Sequence, residues 1–163
     1  MAVRKRGLVV VALAIGLAPA SLVVLLRIFR RNRDLLLRPG PFRNFLKRFN
    51  DVTRRMSGSR RSTLGLLTHV GRRSGREYQT SLGVHPYRDG FLVPLTYGPR
   101  TDWYRNLAAM GTGTLAWKGQ AYQVERPELV SGREPMRAWP IGSRIMLRLA
   151  GIHDFVWLRR SSP

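Results

Sequence analysis

Residues 62–106 read STLGLLTHV-GRRSGR-EYQTSLGVHPYRDG-FLVPLTYGP-RTDWYRN. This stretch decides the fold. Leu64, Leu66, Thr68 and Val70 alternate with smaller or polar residues, the period of a half-buried strand. After Gly71–Arg76, Tyr78, Thr80, Leu82 and Val84 share one face and Glu77, Gln79, Ser81 and His85 the other. The pattern predicts two antiparallel strands joined by an arginine-tipped turn. Gly71 and Gly75 permit the reversal. Arg72, Arg73 and Arg76 are expected to project from the tip. With Ser74 and free backbone N–H groups they form an anion cradle, because guanidinium forks match phosphate and carboxylate. The competing reading is a solvated tip in a basic protein.

Working outward, Tyr87-Arg88-Asp89-Gly90 predicts a second reversal, and Phe91–Tyr97 a third strand. Pro94 lacks an N–H, which places that strand at an edge or a bulge. A donor-rich loop follows, Thr96 to Arg100. Thr101 or Asp102 then caps a helix to about Met110, with Trp103, Leu107 and Met110 on its inner face. Trp103 reads as a core residue or as a wall beside a bound ring.

Gly111-Thr112-Gly113 lacks dinucleotide-loop spacing and follows a helix, which excludes a Rossmann reading. Thr114–Lys118 and Ala121–Arg126 predict another hairpin around Gly119-Gln120. Pro127–Glu134 reads as a connection and Gly142–Ala150 as a short basic helix stopped by Gly151. Ile152–Leu158 reads as a last strand or an extended arm, with Phe155 and Trp157 on one face. Five or six antiparallel strands with peripheral helices imply a mainly β, α+β domain and a small barrel.

The chain carries 29 Lys+Arg against 9 Asp+Glu, a net charge of +20, and no cysteine. Disulfides and cysteine–zinc sites are excluded. His69, His85 and His153 are not at ligand spacing, so no metal is expected.

Residues 7–26, GLVVVALAIGLAPASLVVLL, hold twenty residues without a charge. As a helix they would span about 30 Å, the thickness of a bilayer core. A signal peptide cleaved after Ala18-Pro19-Ala20 competes with a single anchor helix, as does a later translation start. Ser21–Leu26 is still apolar, and Arg27, Arg30, Arg31, Arg33 and Arg38 oppose translocation. The favoured reading is a single-pass anchor in the cell membrane with the main domain in the cytoplasm. Pro39-Gly40-Pro41 ends the linker. Residues 41–56 then read as an amphipathic helix with Phe42, Phe45, Phe49, Val52 and Met56 on one face. That helix either lies on anionic lipid or packs on the sheet. Residues 1–61 hold 15 basic and 2 acidic side chains, a net +13, while residues 62–163 hold 14 and 7, a net +7. The excess beside the apolar segment suits membrane lipid, and no nucleic acid is expected. The remaining surplus favours an anionic ligand.

LLTHVGRRSGREYQTSLGV and YRDGFLVPLTYGPRTDWYRNL together resemble the deazaflavin-dependent nitroreductase family of actinobacteria. The ordered set carries the resemblance: Gly71-Arg72-Arg73-Ser74-Gly75, Asp89-Gly90, and Trp103 with Asn106-Leu107. It covers about residues 41–126. The resemblance implies a split β-barrel over residues 41–163, preceded by the anchor and basic linker of residues 1–40. It further implies coenzyme F420, whose phosphate and oligoglutamate tail would lie on Gly71, Arg72, Arg73, Ser74, Gly75 and Arg76. The ring would sit near Leu95, Thr96, Tyr97 and Trp103. The implied activity is an F420-dependent reductase that passes hydride to a small apolar acceptor, such as a quinone or a nitro compound. FMN is the alternative cofactor, since it too presents a phosphate and a flat ring. A tethered module that binds anionic lipid or nucleic acid without catalysis is the non-enzymatic alternative. The family has proline where this chain has Ser81. Some members carry C-terminal tyrosines, whereas this chain has none after Tyr122. The implied substrate wall then falls to Phe155 and Trp157, and the catalytic proton donor is unassigned. A homodimer is compatible with this reading.

Overall fold

The computed structural model describes Arg31, Thr53, Arg54 and residues 56–161. Seven strands alternate with three helices in it: β1 (Leu64–Val70), β2 (Glu77–Gly83), β3 (His85–Tyr87), β4 (Gly90–Pro94), α1 (Asp102–Met110), β5 (Thr112–Trp117), β6 (Gln120–Ser131), α2 (Arg133–Ala138), α3 (Ile141–Leu149) and β7 (Asp154–Arg160). All strands join one sheet in the order β2-β1-β5-β6-β7-β4-β3, and every pairing is antiparallel.

The two edge strands of this sheet are β2 and β3, yet Val84 alone separates them in sequence. Consecutive Cα atoms lie about 3.8 Å apart, so the sheet must curl until its edges meet. The edges meet without a ladder between them. Pro94 stands at that seam, about 3.8 Å from where a Cβ on Gly83 would lie. Its missing N–H is unneeded there, because β3 pairs only with Gly90–Leu92 while Pro94 faces Phe155 on β7. The result is a split-barrel-like α+β fold with an unclosed sheet.

β4 and β7 are buried on both faces. Phe91, Val93, Val156 and Leu158 point into the barrel, where Trp103 and Leu107 of α1 fill its core. Leu92, Phe155 and Trp157 point the other way, into a second core closed by Met136 and Trp139. Gly90 is where β4 crowds β7: a Cβ on it would overlap the Leu158 carbonyl. That crowding explains why the Asp89-Gly90 turn ends in glycine.

Several expectations change. Among the described residues there are seven strands, not five or six. In β1 the buried residues are Gly65, Leu67 and His69, opposite Leu82, Thr80 and Tyr78. The face built on Leu64, Leu66, Thr68 and Val70 is only half-buried. Leucines stand on both faces of β1, and a slip of one residue exchanges the faces. The third strand ends at Pro94, and Thr96-Tyr97 turn away. Residues 127–131 continue β6 past a bulge between Glu125 and Glu128, where Arg126 takes φ 47° and Pro127 leaves the ladder. Bulges bend a strand, and here one carries β6 around the barrel. Arg133 and Glu134, the end of the expected connection, open a helix that runs to Ala138. Met110 is 47% exposed, and Asn106 takes the inner position instead. Phe155 and Trp157 lie in the second core, so neither forms an open substrate wall.

The expected anchor over residues 7–26 lies outside the described residues. Among those described, no helix is long and apolar enough to cross a membrane. Of the expected helix over residues 41–56, Thr53, Arg54 and Met56 are described and all are helical.

Candidate functional site

The β1–β2 turn is built around its own backbone. The Gly71 N–H donates to Arg76 O at 2.8 Å, and the Gly75 N–H donates to Gly71 O at 2.8 Å. Gly75 takes φ 66°, which a side chain rarely adopts. The Ser74 hydroxyl lies 3.1 Å from the Tyr78 hydroxyl and accepts the Arg76 N–H at 3.4 Å.

Arg72 does not project from the tip. It folds back onto α1, and its side chain is only 18% exposed. One guanidinium N–H donates to Asn106 Oδ1 at 2.7 Å, and both terminal nitrogens reach Asp102 Oδ1 at 3.2 Å. The Arg72 backbone N–H adds a second link to Asn106 Oδ1 at 3.2 Å. Asp102 and Asn106 are four residues apart and share one helix face, which is why one arginine reaches both. The ion pair with exposed Asp102 contributes at most about 1 kcal/mol. The bond to buried Asn106 contributes about 1.5–3 kcal/mol, as hydrogen bonds to charged groups do. Arg72 is thus a strap that holds the tip against the first turns of α1. Arg73 and Arg76 are exposed, and among the described residues neither makes an ion pair. Arg100 and Arg105 add two more exposed guanidinium groups on the loop and helix beside the strap.

A buried polar chain runs on from Asn106. Its Oδ1 is taken by Arg72, so its amide donates to His69 Nδ1, 3.4 Å away. That leaves the proton of neutral His69 on Nε2, which donates to Thr80 Oγ1 at 3.2 Å. Burial pushes the His69 pKa below its usual 6.5, against smaller opposing effects of the Val70 backbone and the Asp102 charge. The ring stacks on Tyr78 at 6.0 Å and 22°. Tyr78, 45% exposed, therefore covers the histidine and presents its other face beside the tip.

The loop ahead of α1 folds tightly. The Leu95 N–H donates to Asp154 O, the Gly98 N–H to Leu95 O, and the Thr101 hydroxyl to Gly98 O. Leu95 is buried and Trp103 is 8% exposed, both within the barrel core. They support the loop from below. Thr96 is half-buried and Tyr97 exposed. Partial burial pushes the Tyr97 pKa above its ordinary value. Of the residues singled out in the sequence, the structure joins Gly71–Arg76 to α1, directly after the loop carrying Thr96 and Tyr97. Leu95 and Trp103 belong to the core.

Three residues of this site were named in the sequence reading but given no role in the site: His69, Tyr78 and Asn106. The hairpin register pairs Val70 with Glu77 and therefore His69 with Tyr78, which the turn's length already implied. Asn106 stood on the inner stripe of α1, one turn after Asp102, and a polar residue on an apolar stripe is the available signal.

Among the described residues, no group of three or more His, Cys, Asp or Glu side chains could hold a metal ion. No protein-family model matches the chain, and no curated protein matches it. Among solved structures the chain is similar to HutZ, the heme storage protein from Vibrio cholerae. The identity is 14%, with 69% of this chain and 87% of that chain covered and a TM-score of 0.44. A second solved chain matches at 16% identity over 68% of this chain and 79% of its own, with a TM-score of 0.42. Neither likeness carries an argument about activity.

Proposed function

We propose that the chain is a reductase that binds coenzyme F420 and passes its hydride to a small apolar acceptor such as a quinone or a nitro compound. One observation supports this above the others. The β1–β2 tip is strapped to α1 by Arg72, and Arg73, Ser74 and Arg76 are left facing solvent. Exposed guanidinium groups on a tip whose backbone is held in place suit a phosphate and a carboxylate-rich tail. The cofactor supplies the hydride, and the protein's share is to orient the acceptor and stabilise the charge that develops on it. The same surface also suits FMN. The apolar run over residues 7–26 supports placement at the cytoplasmic face of a membrane.

The test is a fluorescence titration of the full chain with F420 and with FMN at moderate salt. Arg73→Ala with Arg76→Ala is expected to weaken F420 binding at least about tenfold, equivalent to ~1.4 kcal/mol. Stability should not change. Arg72→Ala is a poor probe of contact, because it also releases the strap. Failure of both cofactors to bind would overturn the enzyme reading. The tethered basic module would then replace it, and its lipid binding would collapse with salt.

A further inference from the structure

α3 is held in place by its narrow side. Arg144 reaches back to α2 and donates to Arg137 O at 2.9 Å and Trp139 O at 3.0 Å. Leu147 packs against the second core, and its carbonyl accepts the Ile152 N–H at 2.9 Å. α2 is itself fixed to the sheet. The Tyr87 hydroxyl donates to Glu134 Oε1 at 2.6 Å, and Arg88 bonds both Glu134 oxygens at 3.1 and 3.2 Å. Arg88 also lies 5.0 Å from the Tyr87 ring centre and 4.8 Å from that of Trp157.

This mounting turns the wide apolar side of α3 outward. No residue of the helix is buried. Ile141, Ile145 and Met146 are 71%, 53% and 51% exposed, and at 100° per residue they share one face with Leu149. The helix edge beside that face carries Arg148, and Arg137 lies exposed on α2. From Pro135 to His153 there is no carboxylate.

We propose that this face of α3 lies on an anionic lipid surface. Bulky apolar residues on one side, arginines along the border and no acidic residue are the composition of a helix that rests in a headgroup layer. The charge is complementary to anionic lipid, and the apolar segment over residues 7–26 would bring the domain to such a surface. α3 then acts as a second foot. The anchor tethers the chain, and α3 decides which side of the barrel faces the bilayer. α2 and α3 cover the outer face of β4 and β7, whereas α1 packs into the barrel's inner core and the exposed tip is strapped to α1. The proposal rests on the exposed face of α3, its charge and the apolar segment over residues 7–26, and does not depend on the cofactor.

The chain has no cysteine, so a single nitroxide can be placed by Ile145→Cys with no other change. Ala109→Cys, at an exposed position of α1, serves as the reference. The full chain is reconstituted in phosphatidylcholine vesicles with and without phosphatidylglycerol. Power saturation then compares access of oxygen and of a water-soluble nickel chelate to each label. The expected result is a label at 145 that favours oxygen only in the phosphatidylglycerol vesicles, with the label at 109 aqueous in both. Arg148→Gln should lower the immersed-to-exposed ratio at 145 about fivefold, the weight of one arginine near such a surface. An aqueous label at 145 in both vesicles would overturn the proposal. So would equal immersion in both, or dipolar broadening between labels on two molecules, which would assign the face to a second copy of the chain.

Discussion

α1 and α3 are both nine residues long and both amphipathic, yet they settle in opposite ways. α1, DWYRNLAAM, buries Trp103, Asn106 and Leu107 and plugs the barrel. α3, IGSRIMLRL, buries nothing and turns its isoleucines outward. An apolar stripe says that a helix has an apolar partner, but not which one. The distinguishing mark lies among the polar residues. α1 carries Asn106 on its buried side, which has a use only where protein groups wait to meet it. α3 carries Ser143 and two arginines, none of them buried, and Arg144 is spent on the backbone carbonyls of Arg137 and Trp139.

The sharpest way to break this comparison is to truncate one apolar residue from each helix. Leu107 is fully buried, and Leu107→Ala should lower the unfolding free energy by about 2–5 kcal/mol. Ile145→Ala should stay within about 0.5 kcal/mol in the absence of lipid. Urea unfolding of the two variants reads both. A large loss at Ile145 would mean that α3 is packed by protein after all.

The same contrast separates what the sequence disclosed from what it hid. The two hairpin reversals and the bounds of α1 were legible, because glycine, Asp-Gly and a threonine before an acidic first turn carry local chemistry. Thr101 starts that helix without a side-chain cap, however, since its hydroxyl turns to Gly98 O. The inner face of β1 was misread because both faces offer leucine. The second half of β6 was hidden by Pro127, which removes a ladder bond but sits in a bulge that has none to lose. Arg72 was read with its neighbours as a tip residue. Its partners on α1 lie 30 and 34 residues along the chain, and composition at the turn carries no trace of them. The face of α3 could be read as a stripe, but its outward direction is decided by Arg144, Leu147 and the Tyr87–Glu134 bond.

A second, smaller effect sharpens the role of α1. Asn106→Ala removes the acceptor of Arg72 and the donor to His69 together. It should cost about 1–3 kcal/mol, since partly buried polar groups are left without partners. It should also loosen the tip, with faster hydrogen exchange at Gly71 and Gly75. Arg73→Ala, in the same turn but facing solvent, should leave unfolding within about 0.5 kcal/mol of the parent. Equal losses for the two would mean that Arg72 is not the strap.

The smallest effect is pH-dependent and sets one histidine under each helical layer against the other. His69 lies beneath α1, and His85 lies 5.2 Å from the Trp139 ring between α2 and α3. Burial lowers both pKa values below 6.5, with backbone bonds at Val70 and Ala138 opposing it, as does the Asp102 charge at His69. When a histidine has a lower pKa folded than unfolded, the unfolded chain binds the extra proton first. Stability is then full above about pH 6.5 and falls as the pH drops from there toward the folded-state pKa. Urea midpoints measured from pH 7.5 to pH 5, above the range where carboxylates titrate, should therefore decline. His69 is 4% exposed and its Nδ1 faces the Asn106 amide, a donor that leaves no room for a second proton. His85 is only half-buried. His69→Gln should accordingly flatten the decline more than His85→Gln does. A midpoint that does not move with pH in the parent chain would show that His69 finds another acceptor when charged, and that the chain from Thr80 to Arg72 is less rigid than its bond lengths imply.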